Sequence, residues 1–176
     1  MARLDYVDPA AGGPELRAVA DQIKQERGGR LLNLFRTLLH SPPVAAGWLR
    51  LGTAVRFETK LDGRIRELAI CMVARLTGAE YEWHHHQSVA QREGVSGEQL
   101  EALPDWRRSD VFDAREQAVL AYAAQMTKSV QVDDSTFGAL RDYFDDREVV
   151  ELTATIAYYN AVARFLVSTR VDIDPS

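Results

Sequence analysis

Residues 62–86 read DGRIRELAICMVARLTGAEYEWHHH, and this stretch decides the fold. Asp62 is a helix-capping residue type. Behind it Ile65, Leu68, Ala69, Met72 and Leu76 recur at spacings of three and four, the period of a helix with an apolar stripe. Gly78 ends that helix or marks a tight junction, and a second helix is expected from about Glu80 to Arg92, stopped by Gly94.

Working outward, the same period recurs on both sides. Toward the N-terminus, Pro14 suits a first helical turn, and a helix from Glu15 to Arg27 ends at Gly28 and Gly29. Leu31, Leu34, Phe35, Leu38 and Leu39 predict a short helix before Ser41, Pro42 and Pro43. Val44 to Phe57 predicts another, with Trp48, Leu51 and Val55 on one face. Toward the C-terminus, Ser96 caps a short helix through Leu103, and Pro104 and Asp105 open a polar connection. Asp113 caps a helix from Ala114 to about Lys128, and Asp133 or Ser135 starts one carrying Phe137, Leu140 and Phe144. A last long helix is expected from near Asp146 through Val149, Leu152, Ile156, Tyr159 and Phe165, before Asp172 and Pro175. No convincing period-2 run is present, so the fold class is all-α. The organisation expected is a single core over residues 61–170, an N-terminal helical segment over 1–60 packed on it, and a tail over 171–176.

The chain has 176 residues, with 21 Lys plus Arg against 26 Asp plus Glu, a formal charge of −5. That balance argues against nucleic acid as a partner, because phosphate binding needs clustered positive charge. No segment is apolar enough for a membrane span or a secretory leader, so a soluble, cytoplasmic protein is expected. The one cysteine, Cys71, excludes an intrachain disulfide and a two-thiol redox cycle within a subunit.

Three of the four histidines lie at 84–86, beside Glu80 and Glu82. Glu82 and His86 are four apart and share a helix face, with Tyr81 and His85 on the adjacent one. A carboxylate that orients and charges an imidazole is a frequent proton-transfer unit. His84 fits a solvated face instead. Glu67 shares a stripe with Cys71, Ala74 and Gly78, small residues that let another helix approach closely. It is expected in a desolvated junction, either as a general acid or base or as a structural partner of an arginine. Glu67, Glu82, His85 and His86 could also be weighed as metal ligands, but no second His–carboxylate pair supports them, and no metal is expected. Cys71 lies mid-helix among apolar neighbours and reads as core. Asn160 and Arg164, four apart on the last helix, either satisfy a buried network or line a pocket. Trp48, Phe57 and Trp83 read as core or subunit-contact aromatics.

The runs Leu61 to Ala69 and Leu76 to Trp83, with His86, resemble the carboxymuconolactone decarboxylase family of the alkylhydroperoxidase D-like superfamily. Residues 33–42 and 158–166 are similar to the same group, so the resemblance covers about residues 30–170. It implies an alkylhydroperoxidase D-like helical bundle and a homo-oligomer, a trimer or a hexamer. Peroxidase members carry a glutamate, two cysteines and a histidine, and counting from Glu67 the later positions here are Ala79, Glu82 and His86. Glutamate and histidine are kept, and both cysteines are absent. Tyr81 stands where some members have a second relay histidine. Without a thiolate at those positions, thiol peroxidase activity is not expected. The namesake decarboxylase uses no cofactor, so none is implied.

These readings converge on a cofactor-free lyase, isomerase or decarboxylase acting on a small carbonyl or carboxylate compound. Glu67, Glu82 and His86 would move the proton, and Tyr81, His85 and Asn160 would bind the substrate. The alternatives are a non-catalytic binding or regulatory protein on the same fold, or a residual peroxidase-like role.

Overall fold

The computed structural model describes residues 1–175, and the last position of the expected tail, Ser176, lies outside them. Among the described residues there are helices and no strands. The described chain divides into two compact units, residues 1–58 with 166–175, and residues 59–165.

The first unit begins with a 3-10 turn, Pro9–Ala11, capped by Asp8. Helix α1 (Pro14–Glu26) starts at the proline, α2 is Asn33–Leu38, and α3 is Pro42–Phe57. Helices α1 and α2 both pack on α3. The buried face of α3 is Ala45, Leu49, Gly52 and Val55. That corrects the face expected from Trp48, Leu51 and Val55, because Leu51 is 48% exposed. Tyr6 and Asn33 explain why the C-terminal segment belongs to this unit. The Tyr6 hydroxyl donates to Asp172 at 3.0 Å, and the Asn33 backbone N–H donates to Asp174 at 2.8 Å.

The second unit holds the candidate site. Helix α4 (Gly63–Thr77) starts at Asp62, whose carboxylate accepts the Ile65 N–H at 3.1 Å. It is buried nearly all round, from Ile65 to Ala74 with Arg66 the half-buried exception, rather than along the expected stripe. The reason is position, since α5 and α7 both pack on it. Gly78 closes α4 in the left-handed region at φ 66°, which costs glycine no side-chain clash. Helix α5 (Glu80–Arg92) follows at once, and the Arg75 guanidinium covers the Trp83 ring at 4.3 Å across the turn.

Helix α6 (Gly97–Ala102) carries a capping box between Ser96 and Gln99. The polar connection expected at Pro104 and Asp105 is instead a 3-10 helix, Leu103–Arg108, pinned by the buried Leu103 and Trp106. Helix α7 (Ala114–Ser129) has a second capping box, Asp113 with Glu116, and α8 (Asp134–Arg141) is capped by Asp133. Phe144 lies past the end of α8, and Phe137 on it is 42% exposed, so the expected three-residue apolar face is only Leu140. Helix α9 (Asp146–Thr169) closes the unit through residue 165.

A candidate proton-transfer site on α4 and α5

The α4–α5 turn sets the site. Glu67 lies one turn into α4, and the tight junction at Gly78 and Ala79 turns α5 back along it. Nineteen residues of chain are thereby folded so that His86 Nδ1 donates to Glu67 Oε2 at 2.6 Å. On the other edge of the ring, Nε2 lies 3.4 Å from Glu82 Oε2, the partner four residues earlier. One imidazole therefore sits between two carboxylates. Glu67 has no exposed surface, and Glu82 and His86 are buried.

Glu67 has a further partner that spacing did not reveal. Arg66 Nε donates to Glu67 Oε1 at 3.2 Å. Consecutive residues diverge by about 100° on a helix, so their pairing is invisible to face-counting. The arginine partner expected of Glu67 is present, and the same carboxylate also holds the buried histidine. Tyr159 of α9 was also missed as a neighbour of the site; its ring meets that of His86 edge-on at 4.9 Å. The only sequence signal for it was its place among apolar residues on a long helix.

A carboxylate at Nδ1 selects the Nδ1–H tautomer of a neutral imidazole and leaves the lone pair on Nε2. The arrangement can therefore orient a base, charge it, and pass its proton to a second carboxylate. The sequence suggested Glu82 as the orienting carboxylate, but the closer contact belongs to Glu67.

The other candidates fall in two places. Tyr81 is buried and packs at a tilt against His85 with ring centroids 4.5 Å apart, next to the Glu82–His86 face. Asn160 belongs to a separate polar network. Its amide donates to Thr127 Oγ1 and to the Ile156 carbonyl, each at 3.0 Å, and its oxygen accepts from Arg164 at 2.7 Å. Both amide hydrogens are engaged, and Asn160 links α7 to α9. His84 is exposed. Among the described residues, no group of three or more His, Cys, Asp or Glu side chains is arranged to hold a metal ion. Burial pushes the Cys71 thiol well up, with the nearby Glu67 and Glu82 charges acting the same way.

Residues 42–125 match the carboxymuconolactone decarboxylase family. The uncharacterized protein YnjA of Escherichia coli is 35% identical over 121 residues, 68% of this chain; the match spans 63% of YnjA, less than two thirds of its length. The uncharacterized protein YdfG of Bacillus subtilis is 23% identical over 63% of this chain and 77% of its own length. Two solved structures share the fold. An alkylhydroperoxidase AhpD core, a peroxidase-related protein of Ralstonia eutropha, has a TM-score of 0.83 at 19% identity, covering 98% of this chain and 92% of its own. The debrominase Bmp8, in a cysteine-to-alanine variant complexed with 2,3,4-tribromopyrrole, has a TM-score of 0.80 at 21% identity, covering 99% of this chain and 94% of its own. Residues 42–125 of this chain thus match the carboxymuconolactone decarboxylase family, and the chain has the alkylhydroperoxidase D-like fold.

Proposed function

We propose that the protein is a cofactor-free enzyme that moves a proton on a small carbonyl or carboxylate compound, as a lyase, isomerase or decarboxylase. The observation that carries this reading is the buried imidazole of His86 between the Glu67 and Glu82 carboxylates, at 2.6 and 3.4 Å. In this mechanism His86 Nε2 takes a proton from the carbon beside the carbonyl. The C–H bond breaks, an N–H bond forms, and the electron pair moves onto the carbonyl oxygen as an enolate. Glu67 stabilises the resulting imidazolium through Nδ1–H. The proton then returns to a neighbouring carbon, or passes to Glu82. Tyr81, with its hydroxyl, is the donor proposed for the enolate oxygen, and His85 beside it shapes the same edge.

The reading excludes thiol peroxidase chemistry. The peroxidase cysteine positions hold Ala79 and Glu82, and the remaining thiol, Cys71, is buried and held protonated. A small-molecule substrate, a homo-oligomeric state and a cytoplasmic location complete the proposal. The charge of −5 weighs against nucleic acid, and no helix among the described residues is long and apolar enough to cross a membrane.

The test is proton exchange, which reports the first chemical step whatever the final product. A panel of small oxo acids, lactones and β-dicarbonyl compounds is incubated in D2O with the wild type and with His86→Ala, and C–H signals are followed by NMR. At least one compound should lose its signal with the wild type and keep it with the variant. Compounds that bind, by ligand-observed NMR, with no exchange anywhere in the panel would leave a binding protein instead.

A further inference from the structure

Arg66 is the part of the α4–α5 cluster that the proton-transfer reading does not use. Its guanidinium is held from two sides. Nε donates to Glu67 Oε1 at 3.2 Å, and Nη2 lies 3.6 Å from Glu93 Oε1, just past the end of α5. The Arg66 side chain is only 12% exposed, whereas Glu93 stands at the surface. Neighbouring partners therefore run from the surface to the buried ring: Glu93 to Arg66, Arg66 to Glu67, Glu67 to His86, and His86 to Glu82.

Gly63, the first residue of α4, makes room for the outer end of this series. A Cβ built there would overlap Glu93 Oε2 and stand 3.4 Å from Arg66 Nη2. Any side chain at position 63 must push the Glu93 carboxylate away. The glycine thus does something for Arg66 that helix formation alone does not require.

We propose that Arg66 is a positioning residue for His86: anchored by Glu93 in the space left by Gly63, it fixes the Glu67 carboxylate that orients the imidazole. The inference rests on the reading of His86 as the base. Its physical content is twofold. The guanidinium occupies Glu67 Oε1, so that Oε2 stays aimed at Nδ1. Its charge also keeps Glu67 an acceptor, so a proton gained at Nε2 remains on the ring rather than drawing the Nδ1 proton across to the carboxylate. Lysine would carry the charge but not the two-sided grip, because a single ammonium lacks the rigid fork of the guanidinium.

The experiment is imidazole NMR on the full chain, with ¹⁵N-labelled histidine and His86 assigned by comparison with His86→Ala. The wild type should show the Nδ1–H tautomer and a downfield, slowly exchanging Nδ1 proton. Arg66→Gln should lose that proton signal, Arg66→Lys should recover it in part, and Glu93→Gln should broaden it. Gly63→Ala should act as Glu93→Gln does, since it displaces only the tip of a flexible side chain and leaves α4 helical by circular dichroism. These last two substitutions lie at the edge of the unit and carry the test if Arg66→Gln does not fold. A signal unchanged in Glu93→Gln, Gly63→Ala and any folded Arg66 variant would overturn the inference and leave the proton-transfer reading standing. A wild type without the Nδ1–H signal would overturn both.

Discussion

Cys71 and His86 lie on adjacent helices of the same unit, yet their chemical prospects are opposite. The thiol is fully buried, and its pKa is raised first by burial and then by the Glu67 and Glu82 charges, with Arg75 pulling the other way. A thiol raised in this way stays protonated through the neutral range, where it is neither nucleophile nor metal ligand. Native protein should therefore resist disulfide-exchange labelling reagents and react fully after denaturation. Cys71→Ala should leave proton exchange unchanged and cost about 1 kcal/mol of stability, measured by urea unfolding. Rapid labelling of the native chain would reinstate redox chemistry. His86, in contrast, has both ring nitrogens next to carboxylates. His86→Ala should slow exchange by roughly 10²–10⁴-fold, the range of a general base. Glu67→Gln should lower turnover more than substrate affinity, because an amide cannot stabilise the imidazolium as a carboxylate does. The two residues act as a unit, so the double variant should be little worse than His86→Ala alone. Multiplicative losses would separate Glu67 from the base.

Helix boundaries depend on local chemistry, and this is why so much of the element order was legible in the sequence. Asp62, Asp113 and Asp133 each accept an N–H from the first turn of the helix that follows. Asp113→Ala should thus destabilise the chain by about 1 kcal/mol, seen in urea unfolding. Gly78→Ala should cost a similar amount, about 1 kcal/mol, since its φ is 66° while its Cβ would meet nothing within 4 Å. The penalty is conformational, and Gly78→Asn should cost less. Asp133 adds a pH dependence. The Ser135 hydroxyl, then the Thr136 N–H and Gln125, hold its carboxyl well below the usual carboxylate range. A carboxyl depressed in the folded state stabilises it above the unfolded pKa, and that contribution disappears as pH falls through the folded one. Amide exchange in the first turn of α8 should therefore quicken in acid below the carboxylate range, and Asp133→Asn should remove that dependence. What escaped local reading was tertiary. The 3-10 helix at Leu103–Arg108 is held by burial of Trp106, against the signal of Pro104 and Asp105. The face of α3 is chosen by α1 and α2, and its own spacing allowed another. In the site, Glu82 and His86 were legible because i and i+4 are local. Glu67 was legible as a carboxyl among small residues, but its closer hold on Nδ1 depends on how the Gly78 turn aims α5. Arg66 and Tyr159 were not legible as site neighbours, because neither adjacency in sequence nor apolar spacing distinguishes a packed neighbour of the ring.

At the scale of the whole molecule, the outstanding demand is apolar surface. Phe57 is 61% exposed at the end of α3, with the Arg56 and Arg27 guanidinia over its ring at 4.9 and 5.6 Å. Val44 and Leu51 on the same helix are also exposed. Large apolar residues flanked by arginine are the composition of subunit interfaces, where aromatics and Arg are enriched and Lys is depleted. The expected homo-oligomer, a trimer or hexamer, would cover them. Sedimentation at micromolar concentration should then show a mass several times the 19.7 kDa of one chain. Leu51→Lys and Phe57→Glu, at exposed positions, should shift the protein toward the single-chain mass without loss of helical signal. Each copy carries a charge of −5, so association works against like-charge repulsion, and added salt should favour the larger species. The opposite salt response would mean that charge pairs rather than apolar contacts join the subunits. A wild type that sediments only at the single-chain mass would instead leave α3 facing solvent and the oligomer without support.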